Sequence, residues 1–130
     1  MILFDTDTCI GLLRGYPSVL TRRKTTDEEI AISFMTVAEL YYGAEKSTNP
    51  AQNIRLVEKY LLTIRVLHTE DVILRQFGRL KSSSQRQGFV LADADLMIAA
   101  TCLVRCDMLI TGNYKHYERI SGLRLDNWLR

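Results

Sequence analysis

No stretch of this 130-residue chain approaches the ~18 consecutive apolar residues needed to cross a membrane, so a bilayer-spanning protein is not expected. Charge of one sign is not in excess either. Seventeen Lys and Arg stand against fifteen Asp and Glu, a formal net charge of +2. That near balance neither demands nor excludes a nucleic-acid partner, because the clustering of charges decides it. Cysteine is scarce and odd in number: Cys9, Cys102 and Cys106 lack framework spacing, which argues against a disulfide-stapled fold and for a reduced, cytoplasmic protein. Cys102 and Cys106 lie one helical turn apart, yet no second pair of Cys or His completes a zinc site, so core packing is expected of them. No basic segment precedes the first apolar run and Asp5 interrupts it, so no secretory signal is read. Repeats, low-complexity tracts and linkers are also missing.

What is present matches a globular domain: 47% hydrophobic and 25% charged residues. Residues 1–130 read as one domain, long enough to bury roughly two-thirds of its unfolded surface. Short apolar runs at 1–4, 30–33, 64–67 and 108–111 read as strands, with a final edge strand within 123–128. Helical signals fill the gaps. One begins at Thr8 and ends at Gly15 and Pro17. A second opens with Thr36 as cap and Glu39 three residues on, and breaks at Pro50. Ile54, Val57, Leu61 and Leu62 repeat at helical spacing. Another helix runs from Asp71 until Ser82, Ser83 and Ser84, and a buried one covers 93–106. Arg22, Arg23 and Lys24 read as a solvated basic loop, and Trp128 as an anchor for the C-terminus. Strands alternating with helices predict an α/β domain with a parallel sheet.

Three acids fall at comparable places. Asp5 follows the first strand, Glu39 sits early in the helix after the second, and Asp95 opens the helix that feeds the 108–111 strand. In open α/β sheets the crevice lies beyond the carboxyl ends of the strands. If the 93–106 helix runs antiparallel to the strands, all three carboxylates meet there. Two carboxylates ~4 Å apart repel by about 4 kcal/mol at an effective dielectric near 20, so such a cluster needs protons or a cation. Mg²⁺ or Mn²⁺ suits all-oxygen ligands, and hydrolysis of a phosphodiester is the chemistry such a pocket favours. Each acid also has a plain structural reading: Asp5 as a helix cap, Glu39 as half of a capping box, Asp93 as the N-cap of the following helix, and Asp95 as a partner of the helix dipole.

The segments FDTDTCIGLL, ISFMTVAELYYGA, LADADLMIAATCL, LITGNYKHYERI and SGLRLDNW occur in the order expected of the PIN-domain family. The chain resembles VapC-type toxins most closely, from Met1 to Trp128. The resemblance implies a three-layer α/β/α sandwich around a central, mostly parallel sheet of four to five strands. It implies a Mg²⁺- or Mn²⁺-dependent endoribonuclease acting on transfer, ribosomal or messenger RNA. Asp5, Glu39 and Asp95 match the family's catalytic and metal-holding acids. Asp7 and Asp93 fall beside them, Thr111 matches a polar position next to the metal site, and Asn113 stands where many PIN domains place a fourth acid. The resemblance further implies a cognate antitoxin whose tail presents a basic side chain to the acids, with Leu12, Leu13, Tyr41 and Tyr42 as groove candidates. It also implies a homodimer. His116, Lys115 and Arg119 read first as ordinary solvated surface, with a basic rim touching RNA phosphate as the alternative.

Two other readings remain. Asp5-Thr6-Asp7-Thr8 after a strand fits the opening of haloacid-dehalogenase-like phosphatases, with Asp5 as nucleophile and Asp7 as acid/base. The lysine and paired-acid motifs expected later in that family are not found. A non-catalytic RNA- or protein-binding relative is the third reading, and it predicts no metal binding.

Overall fold

The computed structural model describes all 130 residues. Its centre is made of short, apolar, β-branched-rich segments: β1 (Ile2–Phe4), β2 (Ile30–Ser33), β3 (Arg65–Leu67), β4 (Met108–Ile110) and β5 (Leu125–Asp126). They form one sheet in the order β3-β2-β1-β4-β5, with every pair parallel. In register, Leu3 lies opposite Ala31 and Leu109, and Phe4 opposite Ile32 and Ile110. The pleat sends successive side chains to opposite faces, which splits the core in two. Leu3, Ala31, Leu67 and Leu109 point to one face, and Ile2, Phe4, Ile32 and Ile110 to the other.

Helices cover both faces. α1 (Thr6–Leu13), α2 (Pro17–Thr25), α3 (Phe34–Glu45) and α4 (Pro50–Leu61) supply Cys9, Leu12, Val19, Leu40, Val57 and Tyr60 to the Phe4 side. α5 (Asp71–Arg86), α6 (Asp93–Arg105) and α7 (Tyr114–Tyr117) supply Leu80, Ile98, Ala99, Cys102 and Tyr117 to the other. The result is the three-layer α/β/α sandwich with a central parallel sheet. Phe4 is fully buried and meets the Trp128 ring edge-on at 5.2 Å, fixing the C-terminus. Cutting Phe4 back to Ala would cost about 3–5 kcal/mol at such a site. No helix is long and apolar enough to cross a membrane.

Several local expectations are corrected. Residues 17–25 are helical, with Pro17 at the first position, where its missing N–H costs nothing. Val19 anchors this helix in the core, and Arg22 pairs with Asp126 at 3.1 Å. Gly15, at φ +75°, makes the sharp reversal between α1 and α2. Ser82, Ser83 and Ser84 lie inside α5, because that helix packs along α6 and buries Ser84, whose hydroxyl donates to its own Lys81 carbonyl at 3.0 Å. Thr36 is not the cap of α3: Ser33, extended at the end of β2, caps it by accepting from Met35 N at 3.0 Å. Ala92 holds the N-cap position of α6 and Asp93 is its first residue. The 108–111 strand stops at Ile110, and the four-residue α7 follows it.

Candidate active site

β1 ends in Asp5, whose backbone N–H still donates to Ile110 O at 2.9 Å as the chain leaves the sheet. Asp5 is extended and caps α1, its Oδ1 accepting from Thr6 N at 2.8 Å. Its Oδ2 accepts from Thr111 Oγ1 at 2.7 Å. The helix-cap and functional readings of Asp5 are therefore compatible. Its residue exposure is 3%, and the carboxyl pKa is pushed up to about 7. Burial is the main cause and the Asp7 charge the next. The two hydrogen bonds oppose them, and Asp95 adds to the rise.

Glu39 lies in the second turn of α3 and is partly buried. Its Oε1 accepts from Thr6 Oγ1 at 2.7 Å, so it faces α1 rather than closing a capping box. Thr6 Oγ1 is also 3.1 Å from the buried hydroxyl of Thr36. With the Thr6 proton committed to the carboxylate, Thr36 donates back to Thr6.

Asp95 stands in the first turn of α6, at the same rim. Its Oδ1 accepts from Tyr117 Oη at 3.2 Å, and its Oδ2 lies 3.2 Å from His116 Nδ1. Tyr117 is wholly buried. Burial, then the charges of Asp5 and Asp95, raise its phenol pKa, so it stays a neutral donor between them.

The remaining candidates divide. Thr111 is buried, binds Asp5 and accepts from Asn113 N at 3.0 Å, so it orients the first acid. Asp7 holds the turn after β4: its Oδ2 accepts from Gly112 N at 2.8 Å and its Oδ1 from Thr8 Oγ1 at 3.2 Å. Space there is tight: a Cβ at 112 would lie 3.1 Å from Asp7 Oδ2 and 2.9 Å from Leu129 Cδ1, so a larger residue would have to displace those side-chain ends. Asn113 is exposed, and its side chain does not cap α7. Asp93 is exposed and turned to α5, where it pairs with Lys81 at 3.0 Å. Thr6, Thr36 and Tyr117 join the site without having been picked from the sequence. All three stand within segments already singled out, but no spacing signal marks Tyr117 as a partner of the acids.

No three of the Asp, Glu, His and Cys side chains make a closed cation-binding set. Each of the three acids is instead held by its own hydroxyl donor. No Lys or Arg pairs with any of them, and exposed His116 on Asp95 is the one basic contact. The donors are hard oxygens around uncompensated negative charge, and Mg²⁺ commonly takes one or two carboxylates while keeping its waters. The residues therefore fit such an ion in their chemistry.

Beside Glu39, a largely apolar concavity of about 430 Å³ opens between α1, α3 and α4, lined by Ile10, Leu13, Leu40, Leu56 and Val57, with Arg14 and Lys46 also in its wall. Of the groove candidates, Leu13 lines it, Leu12 is core, Tyr42 is exposed on another side of α3 and Tyr41 is partly buried.

Known proteins share this fold. The PIN domain family model matches residues 2–123. Ribonuclease VapC2 of Haemophilus influenzae is 33% identical over 128 residues, covering 98% of this chain and 97% of that protein. The tRNA(fMet)-specific endonuclease VapC of Shigella flexneri is 33% identical over 127 residues, covering 97% and 96%. The crystal structure of DNA-bound VapBC from Salmonella typhimurium matches with a TM-score of 0.90 at 31% identity, covering 98% of this chain and 97% of that one. A phosphatase reading does not survive the match, and Asp7 is committed to Gly112 and Thr8. From its sheet order, its rim of acids and its near full-length relatives, this chain belongs to the PIN-domain family, in the VapC group.

Proposed function

We propose that this chain is a VapC-type toxin, an endoribonuclease that hydrolyses RNA phosphodiester bonds with Mg²⁺ or Mn²⁺ held by Asp5, Glu39 and Asp95. The observation that carries the reading is Asp5: a buried carboxyl at the end of a central strand, raised to about 7 by burial and acidic neighbours, with no basic side chain against it. A divalent ion bound there would supply positive charge to a phosphoryl oxygen and favour deprotonation of water at neutral pH.

The chain's own residues would do the positioning. Thr6 N–H and Thr111 Oγ1 fix both oxygens of Asp5, so its plane is set before any ligand arrives. Thr6 Oγ1 turns Glu39 toward α1, and Tyr117 with His116 orients Asp95. Asp7 and Gly112 hold the turn that carries Thr111 and Asn113. The Asn113 amide, exposed at the rim, is free to donate to a phosphate oxygen.

The substrate in this reading is RNA, with transfer RNA the first class to test, since one relative is named for tRNA(fMet). The partner is a cognate antitoxin seated in the concavity beside Glu39, placing a cationic side chain among the acids. A cytoplasmic location and a homodimer belong to the same proposal. The test is cleavage of total RNA and purified tRNA by the isolated chain with Mg²⁺ or Mn²⁺. Discrete fragments, lost with EDTA and in Asp95→Asn, are the expected result. Equal cleavage by the variant would overturn the assignment of Asp95, and no cleavage of either RNA would overturn the reaction.

A further inference from the structure

A second concavity lies on the opposite face of the sheet from the apolar one, between α5, the loop before α6 and the segment after α7. Its volume is about 240 Å³, and Arg79, Ser83, Phe89, Leu96, Arg119 and Ser121 are among its lining residues. Two arginines line it and no acid does. Neither guanidinium takes part in any of the eight ion pairs of the chain. Arg79 makes only a 3.3 Å bond to Gln76, and Arg119 stacks over the Phe89 ring at 4.2 Å from its centroid. The stack fixes the plane of a group whose N–H donors remain unspent. The adjoining hollow beyond Phe89 differs: its one cation, Lys81, is already neutralised by Asp93.

Place and size narrow the ligand. Leu96, in the wall, follows Asp95 directly, and Arg119 comes two residues after Tyr117, whose hydroxyl reaches Asp95. The hollow thus shares α6 and the chain around α7 with Asp95 and its Tyr117 partner. It is smaller than the roughly 300–1,000 Å³ of small-molecule sites, so it takes one group of a longer ligand. A planar guanidinium pair with serine hydroxyls matches the oxygens of a phosphate. We infer that Arg79 and Arg119 form a subsite for a backbone phosphate of the RNA strand, away from the scissile bond, which holds the strand in line with the acids. The inference rests on the ribonuclease reading.

The test measures binding separately from cleavage. The full chain carrying Asp95→Asn, in EDTA, is titrated into a fluorescent single-stranded oligoribonucleotide across a KCl series. Arg79→Gln and Arg119→Gln are added to that background, with melting temperatures recorded for each. The expected result is weaker binding with a salt dependence shallower by about 0.7 in log–log slope for each arginine removed. In otherwise wild-type protein the same changes raise KM for RNA and leave kcat unaltered. Unchanged affinity and slope would overturn the subsite, as would weaker binding with an unchanged slope and a lowered melting temperature, which marks Arg119 as a structural cover for Phe89. Absence of RNA binding by the parent protein would also overturn it. Wild-type cleavage of RNA with unchanged slopes would remove the subsite alone, whereas altered slopes without wild-type cleavage would remove the nuclease reading alone.

Discussion

Replacing Asp5 with Asn keeps the shape of the side chain and removes its charge. Burial and the neighbouring Asp7 raise the Asp5 carboxyl from its ordinary 3.8 to about 7. At 1.36 kcal/mol per tenfold change in proton affinity, keeping it ionised well above pH 7 costs the metal-free fold about 4 kcal/mol relative to the unfolded chain. The folded protein holds this proton up to about pH 7, and the unfolded chain releases it near 3.8. The stabilising contribution of the protonated group is therefore complete below 3.8 and is lost as the pH rises through about 7. In the variant, the Asn oxygen keeps the Thr6 N–H, while its amide meets Thr111 Oγ1, a rearrangement that costs about 1 kcal/mol at every pH. Comparing two pH values removes that constant. The stability advantage of Asp5→Asn should grow by about 3 kcal/mol between roughly pH 4.5 and pH 8. In a domain of this length that is about 10 °C in Tm. Thermal unfolding of both proteins by circular dichroism, in EDTA at each pH, reads the difference. Millimolar Mn²⁺ at the higher pH should then raise the wild-type Tm and narrow the gap, because it binds only the folded state. A gap that stays constant with pH would refute the claim that Asp5 carries an uncompensated buried charge.

Tyr117→Phe removes the hydroxyl that donates to Asp95, and should lower stability by about 1–2 kcal/mol and reduce kcat with KM for RNA unchanged, measured by urea unfolding and steady-state cleavage. Thr6→Val strands the buried Thr36 hydroxyl and should cost about 1–3 kcal/mol; adding Thr36→Val should recover part of that loss, and a double-mutant cycle in urea shows whether it does. Ser33→Ala deletes the cap of α3 and should cost about 1 kcal/mol without changing the pH dependence of stability, checked by the same unfolding series.

Much of the fold was legible because its signals are local. Apolar runs ending in Asp5, Ser33 and Thr111 marked three parallel strands, and the density of apolar residues between Asp93 and Cys106 marked a buried helix. The missed pieces are those where packing overrides local preference. α2 is polar except for Val19 and Leu20, so nothing periodic announced it. Ser82 to Ser84 read as a break, yet α6 alongside keeps them helical. Thr36 looked like a cap, but the cap falls to whichever residue ends β2 in extended backbone, and that is Ser33.

The site divides along the same line. The sequence by itself marked the candidate acids: Asp5, Glu39 and Asp95 fall just after strands or early in helices, where the crevice of an α/β sheet lies. It also determined the alternating α/β architecture, because hydrophobic period is a property of neighbours in the chain. Only the tertiary structure decided which donors hold each acid. Thr111 reaches Asp5 because β4 lies beside β1 in the sheet, and Tyr117 reaches Asp95 because α7 packs on α6. Only the tertiary structure, too, turned Asp93 away to Lys81. Contacts between residues 12, 22 and 106 positions apart depend on sheet order and helix packing, which no local pattern of residues encodes.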